Sequence, residues 1–190
     1  TKAIPGGFQG PRWLMSNKAC YCSNIRFRVI LDIMKKNFNQ ILFMDVDAII
    51  NKPLLDLQSI ISKNDITIMK EIRGFNDPDP INQEKFAPPD KIDWHCGIIG
   101  LSNNEITKTF FEQVMVETEA DMFNWDADQD QFNIAYKKYK DQIKLFNLPK
   151  EFKDEGYRHG GYSDDSYIWC GAGEAKYSNE QYINKQITWS

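Results

Sequence analysis

Only four of the 190 residues are cysteine and only two are histidine. Cys20, Cys22, Cys96 and Cys170 form neither a C-x-x-C pair nor a regular framework, which argues against a disulfide scaffold. Cys20 and Cys22 are separated by one residue and no second pair follows, which excludes the usual structural zinc arrangement. The expectation is reduced thiols in a cytoplasmic protein. Positive charge is also scarce: 23 Lys and Arg against 27 Asp and Glu leave a net charge of −4. The electrostatic footprint of a nucleic-acid binder is therefore missing. No apolar run approaches the roughly 20 residues of a membrane span, and there is no secretory signal. Internal repeats and low-complexity tracts are absent as well. What remains, 42% hydrophobic and 26% charged residues, is the composition of a globular protein, and the length fits a single domain over residues 1–190.

The order of hydrophobic patterns places the elements. Residues 1–17 carry Pro5, Gly6, Gly7, Gly10 and Pro11 and read as loop. Ile25, Val29 and Ile33 recur at helical spacing within 18–37. Residues 40–44, Gln40 followed by four apolar residues, form a short run of the kind found in a buried parallel strand, ending at Asp45. A short helix is expected near Leu54 to Ser62 and a strand at Asp65 to Met69. The stretch from Arg73 to Trp94 contains four prolines and is long for a plain connection. Gly97 to Leu101 is a second apolar run; Ser102 and Glu105 then have capping-box spacing ahead of a helix with Ile106, Phe110 and Val114 on its buried face. A further helix is expected from Asp126, a strand over Ile143 to Leu148, and loop with short elements from Gly156 onward. Strands alternating with helices predict an α/β fold with a mostly parallel sheet.

Asp45-Val46-Asp47 ends an apolar strand, and in open α/β sheets ligands bind beyond the carboxyl ends of strands. Two carboxylates held there suit Mg2+ or Mn2+, hard ions commonly bound by one or two carboxylates plus substrate phosphate. Alone, such a D-x-D string is a weak signal and is more readily read as solvated strand-end residues. A strand followed by D-x-D also opens haloacid-dehalogenase-type phosphatases, where the first Asp is a nucleophile. Against that reading, a full helix precedes the motif here, and Ile49 stands where Thr or Val is expected.

Three further segments change the weight of the motif: Trp94-His95-Cys96-Gly97-Ile98-Ile99-Gly100-Leu101, Asp128-Gln129-Asp130-Gln131-Phe132-Asn133, and Ile168-Trp169-Cys170-Gly171-Ala172-Gly173-Glu174-Ala175-Lys176. With the D-V-D strand, their order and spacing resemble the glycogenin and lipopolysaccharide galactosyltransferase family, over roughly residues 20–176. That family has the GT-A fold, a Rossmann-like α/β sheet flanked by helices. The resemblance implies metal-dependent transfer of a sugar from a nucleotide diphosphate donor to a carbohydrate or glycoconjugate acceptor, with retention at the anomeric carbon.

The resemblance also implies roles for individual residues. Asp45 and Asp47 would hold Mn2+ or Mg2+ against the donor diphosphate. Cys170 stands where the family has a third, histidine ligand; a thiolate is a soft partner for either ion, so two protein ligands and more water is the alternative, with His159 as a substitute nitrogen. Gly173 and Lys176 would meet the leaving diphosphate, where a cation stabilises developing charge. Arg26, or else Arg28, matches the helix arginine that reaches the donor. Asp128 and Gln129 would lie against the sugar ring beneath the anomeric carbon, although carboxylates in a helix's first turn also serve the macrodipole. His95 takes the sugar-contact asparagine position, with Gly97 beside it. Only 44 residues precede Asp45, so the N-terminal nucleotide-binding unit is expected to be missing or abbreviated. A non-catalytic sugar- or nucleotide-binding relative remains an alternative.

Overall fold

The computed structural model describes residues 17–72, 92–156, 161–171 and 179–187. In chain order these form helices α1 (Asn17–Asn24) and α2 (Arg26–Met34), strands β1 (Gln40–Met44) and β2 (Ala48–Ile50), helix α3 (Leu55–Ile61), and strands β3 (Ile66–Ile72) and β4 (Ile92–Ser102). Helices α4 (Glu105–Ala120) and α5 (Ala127–Tyr139) follow, then β5 (Leu145–Asn147), a 3-10 turn (Lys150–Phe152), β6 (Ile168–Cys170) and α6 (Glu180–Ile187). None of the described helices is long and apolar enough to cross a membrane.

The α/β class expected from the sequence holds, but the strand directions differ from the expectation. The main sheet has the order β1-β4-β3-β5. β4 runs antiparallel to both β1 and β3, and β3 and β5 pair in parallel. A second, two-stranded sheet joins β2 and β6 antiparallel. Among the described strands the sheet is therefore mixed rather than mostly parallel, and β1 stands at its edge. The apolar run at 41–44 reports burial on two faces, not strand direction. Ile41 and Phe43 join a cluster with Phe27, Ile30, Phe110, Phe111 and Phe132 on one side of the sheet. Leu42 and Met44 join Leu57, Ile61, Ile98 and Cys170 on the other.

The first cluster is the main core. Phe27, Phe110, Phe111 and Phe132 are all fully buried. The Phe110 and Phe132 rings meet edge-to-face with centroids 5.1 Å apart, a favoured aromatic geometry. Phe110 and Val114 occupy the buried face of α4 as the sequence predicts. The cap of that helix is Asn104 rather than Ser102: the Asn104 side chain accepts from the Thr107 amide, and the Thr107 hydroxyl accepts from the Asn104 amide. β4 runs on through Ser102, whose hydroxyl is used by the Ile61 and Asn64 carbonyls instead.

One irregularity of β4 positions the site. Ile68 pairs with Ile99, yet Met69 pairs with His95, so Cys96, Gly97 and Ile98 bulge out against β3. Bulges re-aim side chains and are frequent beside active sites. On the other edge the bulge stays bonded to β1, whose pairing ends at Met44 with Ile98 and is extended by the Asp45 amide donating to the Gly97 carbonyl at 2.9 Å.

Candidate active site

At the end of β1 the chain leaves the main sheet through a tight turn and enters the small one. The Ala48 amide donates to the Asp45 carbonyl at 3.0 Å, closing a turn over Asp45-Val46-Asp47-Ala48. Val46, at its tip, is fully exposed. The Asp45 side chain is 39% exposed and faces a polar pocket of about 130 Å3. Arg26, His95, Gly97, Trp125, Asp128 and Gln129 also line that pocket. A larger pocket of about 370 Å3 lies between β1 and α3, but its lining is apolar apart from Gln40 and Gln58 and carries no charged side chain. The charged side chains gather in the smaller one.

Arg26 organises the polar pocket. It opens α2, its side chain is 11% exposed, and its guanidinium lies 3.2 Å from an Asp45 oxygen and 2.8 Å from an Asp128 oxygen. It also donates to the Cys96 carbonyl on the bulge at 2.5 Å and to the Ser23 carbonyl at 2.8 Å. Burial alone would lower the Arg26 pKa, but the charges of Asp128 and then Asp45 outweigh it and hold the guanidinium above its ordinary value. Burial pushes the Asp128 carboxyl up, opposed by Arg26 and by the Gln129 amide, which donates to it at 2.8 Å. Arg28 lies elsewhere: two residues on is about 200° around a helix, and it pairs with Glu119 on the exposed surface. Of the two arginines proposed from sequence, Arg26 stands in the cleft and Arg28 does not.

Close approach explains Gly97. A Cβ there would sit 2.8 Å from the His95 ring and 2.9 Å from an Asp45 carboxylate oxygen. The Gly97 amide donates to His95 Nδ1 at 3.1 Å, which makes that nitrogen the acceptor and orients the ring.

Cys170 is not among the pocket residues. It pairs with Ala48 across the small sheet and packs with Leu57, Ile98, Leu148 and Ile168. Burial pushes its thiol up from an ordinary value near 9 to about 12, against the pull of Lys153. The charges of Glu155, Asp45 and Asp47 raise it too, so the thiol is held neutral. Among the described residues no three His, Cys, Asp or Glu side chains converge as a metal cluster. Two carboxylates at a turn do suit a hard ion that keeps several waters and takes phosphate oxygens from its substrate. His159, Gly173 and Lys176 lie outside the described residues.

Several supporting residues were given no role by the sequence, although Asn133 belongs to the Asp128–Asn133 motif. Asn24 is fully buried; its side-chain amide donates to the Met122 and Asn124 carbonyls, and its oxygen accepts from the Asp128 amide at 3.0 Å. It fixes the start of α5 to α1. Asn133 ties α5 to β4, accepting from the Trp94 amide at 2.9 Å and donating to the Gln129 carbonyl at 2.6 Å. Trp125 lines the pocket without belonging to any motif. A buried Lys153–Glu155 pair, 2.6 Å apart, sits in the segment that runs beside β6.

Residues 16–160, most of the chain, match the sequence profile of glycosyl transferase family 8. The chain belongs to that family. Its α/β fold is GT-A-like, similar to the glycosyltransferase GlyE of Streptococcus pneumoniae TIGR4, with a TM-score of 0.55 at 16% identity over 86% of this chain and 41% of that one. Mouse xyloside xylosyltransferase 1 gives 0.48 at 16% identity over 78% and 63% of the two chains. The galactosyltransferase LgtC, solved with donor and acceptor sugar analogues, gives 0.49 at 11% over 84% and 66%. The chain thus spans less than two thirds of the length of each. No curated protein sequence matches it significantly.

Proposed function

We propose that this family 8 chain transfers a sugar from a nucleotide diphosphate donor to a carbohydrate or glycoconjugate acceptor, using Mn2+ or Mg2+. The observation that carries the reading is the Arg26 bridge, which joins the first carboxylate of the D-x-D turn to Asp128 in one polar pocket. Asp45 and Asp47 would hold the ion, which when bound offsets charge on the leaving diphosphate. Arg26 keeps Asp128 oriented while leaving the outer face of the Asp45 carboxylate to solvent. Asp128 and Gln129 would lie against the sugar ring, where a fixed carboxylate steadies positive charge at the anomeric carbon. His95 and the open face of Gly97 would take sugar hydroxyls, with His95 offering its Nε2–H as donor because Nδ1 already accepts from the Gly97 amide. Lys176 and Gly173 would meet the diphosphate. Retention at the anomeric carbon is part of the proposal.

The neutral, buried Cys170 favours a second reading, a relative that binds nucleotide sugars without turning them over. A thermal-shift screen of nucleoside diphosphates, each with and without Mn2+, tests binding, because a ligand that binds only the folded state raises its stability. Metal-dependent hydrolysis of a nucleotide sugar then separates enzyme from binder. A shift with no diphosphate under any metal condition would overturn both.

A further inference from the structure

The last described helix, α6, lies beyond the family match at residues 16–160, yet it reaches the D-x-D turn. Tyr182 on α6 is fully buried, and its hydroxyl donates to the Asp47 backbone carbonyl. The Gly171 amide donates to the same oxygen at 3.2 Å. A carbonyl has two lone pairs, so both are used. The other end of that peptide unit, the Ala48 amide, donates to the Asp45 carbonyl at 3.0 Å. The peptide plane between Asp47 and Ala48 is therefore pinned on both sides, and the Asp47 Cα adjoins it.

The ring of Tyr182 is itself seated firmly. It packs with Ile49, Tyr162 and Trp169 in a separate buried cluster. Its centroid lies 5.7 Å from that of Tyr162, whose ring stacks on Trp169 at 5.0 Å. The Asn179 side chain accepts from the Tyr182 amide at 3.1 Å, and the Gln181 side chain accepts from the Tyr162 amide at 3.0 Å. Lys185 lies 5.2 Å over the Trp169 ring. A phenol placed this way has a defined hydroxyl position, and the group it addresses is the backbone of the second carboxylate in the motif.

We infer that Tyr182 is a positioning residue for the metal-binding turn: α6 delivers its hydroxyl to the Asp47 carbonyl, and this sets the direction of the Asp47 carboxylate. The inference rests on the proposed role of Asp45 and Asp47 as metal ligands. Tyr182 touches neither substrate nor metal; it acts through the peptide plane. A ligand site must be held to within about 0.5 Å of its working geometry by its supporting contacts, and supporting partners of metal ligands are worth roughly 10- to 100-fold in affinity when they bond the ligand directly. A contact to the ligand's backbone should be worth less.

The test compares Tyr182→Phe with Trp169→Phe. The second variant disturbs the same cluster and loses the indole bond to the Ser163 carbonyl, but leaves the Tyr182 hydroxyl in place. Manganese is titrated into each variant with the nucleoside diphosphate that gives the largest thermal shift, and free ion is followed by electron paramagnetic resonance. Tyr182→Phe should weaken manganese binding about 3- to 10-fold, while Trp169→Phe lowers Tm more and stays within about twofold of wild type. Equal manganese affinity in Tyr182→Phe and wild type overturns the inference alone. So does loss of affinity in both variants in proportion to lost Tm, which would make the effect merely structural. A wild type that takes up no manganese with any diphosphate overturns the metal reading and this inference together. If Tyr182→Phe does not fold, Asn179→Ala, which unseats the Tyr182 amide, carries the same comparison.

Discussion

Arg26 and Phe27 are neighbours in sequence on one turn of α2, and they serve opposite regions of the molecule. Phe27 enters the aromatic core beneath the main sheet, among Phe110, Phe111 and Phe132. Arg26 enters the ionic cluster at the carboxyl end of β1, between Asp45 and Asp128. The core is indifferent to pH and metal, and its strength lies in shape. The ionic cluster is sensitive to both, because its stability depends on which groups are charged. Placing them one residue apart means that the core fixes the arginine's backbone and the arginine fixes the site.

The two regions should break differently. Phe110→Ala opens a cavity against the rings of Phe111, Phe132 and Tyr139 and should cost about 3–5 kcal/mol, read by urea unfolding and the same at pH 5 and pH 8. Arg26→Met leaves Asp128 buried without its cation and should cost about 3 kcal/mol or more at pH 8, since breaking a buried pair strands a charge. Here the cost should depend on pH. Burial already raises the Asp128 pKa, and removing Arg26 raises it further. A group whose folded pKa exceeds its unfolded one favours the fold while protonated and loses that contribution as pH rises through the folded value. Arg26→Met should therefore recover stability toward pH 5, and a deficit equal at both pH values would erase the distinction between the regions.

Cys170 offers a smaller and sharper test at the border between them. Its folded pKa of about 12 against an ordinary 9 means that the unfolded chain loses this proton first. The stability it confers is complete below pH 9 and is lost as pH climbs toward 12. Cys170→Ala should lower Tm modestly at neutral pH, yet flatten the fall in Tm between pH 9 and 11. An unchanged alkaline slope would mean the thiol is open to solvent and its apolar setting is misjudged.

Much of this was legible in the sequence because periodicity reports burial directly. Phe110 and Val114 on α4, and Ile41 to Met44 as a two-face strand, are such cases. Strand direction was not legible, since an apolar run fits any strand covered on both faces; the antiparallel return of β4 depends on pairings that no local pattern encodes. The D-V-D turn, Gly97 and the Asp128 helix start could be found because each is a short motif with a chemical reason. Choosing Arg26 over Arg28 needed the rotation of α2, which its break from α1 at Ile25 leaves open in the sequence. Asn24 and Tyr182 act through backbone groups far away in the chain, so their residue types alone give no sign of their partners; Asn133 lies in a motif, but its bond to Trp94 does not follow from it.

The central claim is that Asp45 binds metal and diphosphate at the Arg26 site. It is tested most directly by calorimetric titration of a nucleoside diphosphate into wild type and Asp45→Asn, each with and without Mn2+. Asn at a partly exposed turn should change stability by about 1 kcal/mol or less, because Arg26 keeps Asp128. The account predicts manganese-dependent binding in wild type that Asp45→Asn abolishes while its unfolding transition stays cooperative. Diphosphate binding of equal strength in both proteins, with or without manganese, would contradict it.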